Sequence, residues 1–261
     1  MNVIKPVVYC IMLLILMPGP TSAQSESTSH TIVFDGIGLT FDTTIGDWVM
    51  ARQQAGTPLE AAQVGFSDAA STTFLIFSDP YPELTGDQFP ARISVYRMAD
   101  IAPYDFLQAE ADELATMIDT RPDLTQFYAY GNQLPYLPVV SHGQIIRARG
   151  SYIDGERLRG IAYLTTIQAS VDPLTSRSLF YTIQAITDDG QFYISANFAI
   201  NTYLFPPEIP LDFDLVAFEE NIDGYLADSI AMLQSAGDSA FSPPLPLLES
   251  IVHTMTFGAD H

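Results

Sequence analysis

Apolar and polar side chains alternate with a period of two in three runs, residues 160–169, 178–187 and 192–200. Successive strand side chains point to opposite faces of a sheet, so these runs predict three antiparallel strands at the centre of the fold. The last two are separated by Asp189 and Gly190. That pair suits a two-residue type I′ hairpin loop, whose central residues both take positive φ. Such a loop pairs Thr187 with Phe192, Ala185 with Ile194, Ile183 with Ala196, Tyr181 with Phe198 and Leu179 with Ile200. These residues, apart from Thr187, then make one apolar face, and a slip of one position would turn it outward. The other face carries Thr182, Gln184, Tyr193, Ser195 and Asn197 with Phe180 and Ile186.

The remaining pattern extends this sheet. Residues 31–34 and 38–41 flank Asp35-Gly36 and read as an opening hairpin, and 48–52 as a short strand. The run 72–77 is apolar and β-branched, a buried strand; a proline-rich loop over 79–90 leads to an alternating strand at 92–97. Residues 105–118 carry Leu107, Ala111, Leu114 and Ile118 at helical spacing, and Arg121-Pro122 stops the helix. The segment 134–138, LPYLP, is too proline-dense for a central strand and reads as a packed loop. Residues 141–153 form a strand that turns back at Asp154-Gly155. Past the proline-rich 205–210, a second helix spans 215–234, with Leu215, Phe218, Ile222, Leu226, Ile230 and Leu233 on one stripe. A kink is expected at Gly224 and a stop at Gly237. A short helix at 246–250 and a last strand at 252–257 complete the pattern.

The first residues change the picture of where the chain works. One Lys, a short apolar run and the small residues Thr21, Ser22 and Ala23 match a secretory signal peptide over 1–23. The run is shorter than the roughly 20 residues of a spanning helix. The expected layout is a signal peptide at 1–23, a polar leader at 24–30 and one α+β domain over 31–258. Membrane contact is expected only through an uncleaved signal. Residues 1–23 contain the only Lys (Lys5) and the only Cys (Cys10), which leaves nine Arg against 31 carboxylates, a net charge of −22. Such a chain forms no disulfide, and its charge disfavours nucleic acid and anionic lipid as partners.

Catalytic signatures are absent: there is no G-x-S-x-G elbow, no Walker loop, no G-x-G-x-x-G and no H-E-x-x-H. Of the histidines His30, His142, His253 and His261, His142 stands at the mouth of a strand, where a local hydrogen bond explains it far more readily than catalysis does. Asp212, Asp214, Glu219 and Glu220 suit the start of the second helix and leave calcium as the sharper alternative. Five Arg (147, 149, 157, 159 and 177) surround one hairpin. Arg147 and Arg149 are expected to face one way and Arg157 and Arg159 the other, paired with carboxylates rather than forming one anion cradle. Thr182, Gln184, Tyr193, Ser195 and Asn197, with Thr166 and Gln168, form a mixed face that lines a ligand or partner groove if no helix covers it.

Several stretches resemble an uncharacterised group of secreted bacterial proteins found in Chloroflexi-type and cyanobacterial genomes. They are Arg159 to Thr165 (RGIAYLT), Phe180 to Gly190 (FYTIQAITDDG), the LPYLP segment, Phe34 to Ile37 and Arg92 to Tyr96. The likeness covers most of the chain after the signal and departs at Ala162 and Ala185. The order of elements is similar to the PsbP-like fold, an antiparallel sheet between helices. The resemblance implies architecture, since one fold hosts unrelated activities.

The combined expectation is a secreted α+β protein of PsbP-like sandwich type. It acts without catalysis as a binding or accessory domain on an envelope or extracellular protein, with no cofactor. The alternatives are an extracellular hydrolase or lyase built on dispersed acid–base groups such as His142, and a calcium-stabilised surface protein.

Overall fold

The computed structural model describes residues 29–78 and 91–258. The expected signal peptide, most of the leader, the proline-rich loop over 79–90 and His261 lie outside them. The strands are β1 (Ser29–Phe34), β2 (Ile37–Asp42), β3 (Trp48–Gln54), β4 (Ser71–Phe77), β5 (Ala91–Arg97), β6 (Gly143–Asp154), β7 (Leu158–Gln168), β8 (Leu179–Thr187), β9 (Phe192–Thr202), β10 (Phe241–Ser242) and β11 (Thr256–Phe257). The helices are α1 (Met98–Ile101), α2 (Asp105–Thr120), α3 (Leu215–Glu220), α4 (Ile222–Ser235) and α5 (Leu245–His253). β1 already begins at Ser29, so His30 belongs to the first strand and not to the leader.

The fold is α+β and its sheets are antiparallel. The large sheet runs β3-β4-β5-β9-β8-β7-β6, with β10 on the far end of β9; a second sheet is β1-β2-β11. The β8–β9 register follows the alternation: Ala185 faces Ile194, Ile183 faces Ala196, Tyr181 faces Phe198 and Leu179 faces Ile200. These residues join Leu226 and Leu233 of α4, Leu248 and Ile251 of α5, and Leu39 and Phe41 of β2 in one core. The opposite face meets α2, whose Leu107, Ala111, Leu114 and Ile118 pack with Tyr96, Tyr163 and Tyr193. The sheet is therefore covered on both sides.

The three Asp-Gly pairs that stand between strands make three different turns. Asp35 (φ 53) and Gly36 (φ 73) both take the left-handed region, as a type I′ loop requires. At Asp189-Gly190 only Gly190 does (φ 67), and its N–H reaches the Thr187 carbonyl at 2.8 Å. Asp188 and Asp189 thus fill the turn, and Gly190, which has no Cβ, takes the left-handed position that follows them. At Asp154-Gly155 neither residue is left-handed; a wider loop closes through Gly155 N–H on the Leu158 carbonyl, with Asp154 opposite Arg159.

Three expectations change near the C-terminus. The second helix breaks at Asn221 (φ −135, ψ 38) rather than at Gly224. The break turns Leu215 out of the stripe, leaving it 55% exposed. The short helix runs on to His253, because Leu245, Leu248, Ile251 and Val252 are buried at helical spacing. The last strand is consequently only Thr256–Phe257, on the edge of β2. Among the described residues no helix is long and apolar enough to cross a membrane.

Candidate functional site

The mixed face of β8 and β9 is occupied by the protein's own chain. Thr182, Gln184, Tyr193 and Ser195 are fully buried and Asn197 partly so. Over them lies the 134–138 loop. Leu137 N–H donates to Gln184 Oε1 (3.1 Å), which also accepts from Tyr193 OH (2.9 Å). Gln184 Nε2 donates to Thr182 Oγ1 (2.7 Å) and Ser195 Oγ (3.1 Å), and Ser195 Oγ donates to the Leu137 carbonyl. Asn197 Nδ2 donates to Ser195 Oγ at 3.1 Å. The loop is held again at Leu134, whose N–H and carbonyl both bind the Gln144 amide, and at Pro135, whose carbonyl accepts from Tyr163 OH (3.0 Å). Buried polar groups find partners, and here an extended proline-rich segment supplies them. A partner reaches this face only if the loop leaves.

Thr166 and Gln168 are not on that face. Register places Tyr163 opposite Thr182 and Thr165 opposite Phe180. By alternation Thr166 and Gln168 point with Ala162 and Leu164 into the other core.

The arginines separate in the same way. A bulge between Ala148 and Ser151, with Arg149 at φ 52, sends Arg147 and Arg149 to opposite sides. Arg147 is fully buried and carries no carboxylate partner among the described residues. Its guanidinium donates to the carbonyls of Phe127 (2.7 Å), Ala129 (2.7 Å), Tyr128 (3.4 Å) and Gln144. Burial pulls its pKa downward. Arg149 pairs with Asp238 (2.6 Å) and Arg159 with Asp188 (3.4 Å) and Asp119 (3.7 Å). The expectation that Arg147 and Arg149 face one way is thus overturned by the bulge, whereas pairing with carboxylates holds for Arg149 and Arg159 and not for Arg147.

His142 is exposed, with ring Nδ1 3.2 Å from Ser141 Oγ, and His253 ends α5 rather than lying in a strand. Asp214 caps α3, its carboxylate accepting from Ala217 N–H at 3.0 Å. Among the described residues no group of three or more His, Cys, Asp or Glu gathers where it could hold a metal ion.

Among the described residues, three surface clefts differ in their linings. One of about 470 Å³ lies between the sheets, where Thr72 Oγ1 donates to Asp35 (2.8 Å) and the Arg97 guanidinium sits 5.5 Å from the Phe192 ring. A second, of about 350 Å³, is lined by Arg149, Tyr181, Asp238 and Glu249. Its charged groups already serve one another: Arg149 binds Asp238, and Tyr181 OH donates to Glu249. Burial, reinforced by that carboxylate, drives the Tyr181 pKa upward.

The third cleft differs in chemistry. It has about 280 Å³ and is walled by Leu174, Phe205, Ile209, Phe213, Tyr225 and Met232 among others. Two loops and α4 build it. Ser176 N–H binds the Pro206 carbonyl (2.8 Å), Leu174 N–H binds Tyr225 OH (2.7 Å), and Phe213 N–H closes on the Pro210 carbonyl (3.0 Å). Phe213, Phe218 and Tyr225 stack edge to face at 5.8 and 5.0 Å beneath it. Of its wall residues Ile209 and Met232 are exposed, and in the same segment of chain so are Tyr203, Leu211, Leu215 and Val216, Leu211 completely. They are six of the thirteen large apolar side chains exposed among the described residues, gathered within 30 positions of sequence. Its sequence signal is the apolar helix stripe that begins at Leu215, shortly after Pro206, Pro207 and Pro210, a pattern that reads equally as core.

The chain matches no protein-family model and no curated protein sequence.

Proposed function

We propose that this is a secreted, non-catalytic binding or accessory domain that engages an envelope or extracellular protein through the apolar groove between the 205–213 loop and α4. One observation carries the reading: an open apolar cleft in a segment of the chain that carries six exposed large apolar side chains, two of which, Ile209 and Met232, line it. Contiguous exposed apolar surface marks interaction sites. At about 280 Å³ the cleft lies just under the range of about 300–1,000 Å³ usual for small-molecule pockets, and it suits one or two side chains of a partner better. The layered antiparallel sheet is compatible with the PsbP-like sandwich and with the secreted bacterial group suggested by the LPYLP and DDG segments, and both belong to this proposal.

The test is affinity capture with the immobilised protein from envelope extract and culture medium of the source organism. A stoichiometric partner lost when Ile209→Glu and Met232→Glu are introduced together supports the reading. A partner retained unchanged by that variant places the interaction elsewhere, and failure to retain any component overturns it.

A further inference from the structure

The charge distribution around this groove specifies the partner's chemistry. Arg177 is the last cationic Lys or Arg in the chain: residues 178–261 contain 12 Asp and Glu and neither Lys nor Arg. Seven of those carboxylates, Glu208, Asp212, Asp214, Glu219, Glu220, Asp223 and Asp228, fall in the segment that builds the groove, and all seven are exposed. Asp228 lines the cleft itself, and Asp212 and Asp214 flank its wall residue Phe213. None of the seven is ion-paired among the described residues; Asp214 alone is engaged, as the cap of α3. Arg177 is exposed on the neighbouring loop beside Ser176 and does not line the cleft.

We infer that the groove takes a cationic amphipathic segment of another protein, with one or two bulky apolar side chains in the cleft and Lys or Arg facing its acidic rim. This inference rests on the binding-domain reading above and adds the partner's charge and shape. Opposite charge across a rim steers encounter and excludes like-charged partners, and the apolar centre holds the complex. A second copy of this chain is disfavoured as occupant, because each copy brings the same anionic rim and a formal charge of −21.

The experiment uses the full chain and two labelled peptides of about 14 residues, long enough for roughly four helical turns. Both carry Leu at i, i+3, i+4 and i+7; one has Lys and the other Glu at the remaining positions. Anisotropy titrations run from about 50 mM to about 500 mM salt, across which the screening length shortens severalfold. The Lys peptide is expected to bind at least about tenfold tighter than the Glu peptide at low salt, with the gap closing at high salt. Ile209→Glu with Met232→Glu removes binding. Asp212→Asn with Asp228→Asn removes most of the gap, whereas Asp105→Asn with Asp112→Asn on α2 leaves it intact. Circular dichroism and melting confirm that each variant is folded.

Equal binding of both peptides, lost in the Ile209/Met232 variant, overturns the cationic partner and leaves the groove as a docking site. Binding indifferent to Ile209 and Met232, or no binding of either peptide, overturns the inference, and the capture experiment then judges the broader reading separately. A dimer in sedimentation that the Ile209/Met232 variant dissolves identifies a second copy as the occupant and overturns it too.

Discussion

Replacing Gln184 by methionine keeps the shape of the side chain and removes the amide that anchors the 134–138 loop. Two buried donors then lose their acceptor, Leu137 N–H and Tyr193 OH. Each such orphan costs about 1–3 kcal/mol, so Gln184→Met is expected to destabilise the fold by about 2–6 kcal/mol. The hydroxyls on the other side of the amide are less affected. Ser195 Oγ still donates to the Leu137 carbonyl and accepts from Asn197, and Thr182 Oγ1 still reaches the Ala196 carbonyl at 3.3 Å. The sharper test adds Tyr193→Phe. That change alone costs about 1 kcal/mol, because Gln184 Oε1 keeps the Leu137 N–H. In the Gln184→Met background it removes an orphaned hydroxyl, so the double variant is expected to be more stable than Gln184→Met alone, by about 1–3 kcal/mol. Urea unfolding measures both, and hydrogen exchange at the Leu137 amide reports whether the loop has loosened. A Gln184→Met cost under about 1 kcal/mol, or costs that simply add in the double variant, refutes the claim that this amide clamps the loop.

Three further outcomes are expected. A Cβ on Gly160 would lie 2.2 Å from the Gln184 carbonyl oxygen and 2.7 Å from Ala185 Cα, both backbone atoms that cannot rotate away. Gly160→Ala should therefore cost about 1–3 kcal/mol or more in chemical unfolding, and a neutral result would contradict the close approach of β7 and β8. Gly224→Ala, which in an open helix gains about 1 kcal/mol, should gain little here because its Cβ would meet the Asn221 side chain at 2.4 Å. In an Asn221→Ala background the gain should return, and equal effects in both backgrounds would falsify the explanation. Burial raises the pKa of Asp68, Glu110 and Glu113, so the folded state binds protons more tightly than the unfolded chain in weakly acidic solution. Stability from these groups is present below their unfolded values and is lost as pH rises through their folded ones. Asp123, Asp154 and Asp189 are held low by hydrogen bonds, from Thr125, Arg121 and Thr187 respectively, and act in reverse, losing their contribution as pH falls through their depressed values. Melting temperature should thus rise on going from neutral to weakly acidic pH and fall at strongly acidic pH; a Tm that climbs steadily from pH 5 to 8 would sink this account.

Much of the architecture was legible in residue order. Alternation over 178–200 set which side chains share a face, burying Leu179, Tyr181, Ile183 and Ala185 together, and the turn between Thr187 and Phe192 chose the β8–β9 register among the pairings of that parity. The stripe on α2 and its stop before Pro122 followed from 3.6-residue periodicity and proline sterics. These are local consequences of covalent geometry. Alternation says which side chains share a face and nothing about what lies upon it. That Thr182, Gln184 and Ser195 are sealed by residues 134–138 depends on contacts between segments about 50 positions apart. The burial of Arg147 likewise needs the 127–129 carbonyls to arrive from outside β6. The groove was hidden for the converse reason. Apolar spacing from Leu215 onward reads as core in any linear pattern, and only the break at Asn221 and the packing of the 205–213 loop against α4 leave that surface open. Sequence alone set the local periods and charges; tertiary structure decided which polar face was closed and which apolar one stayed accessible, because burial depends on every segment that packs there.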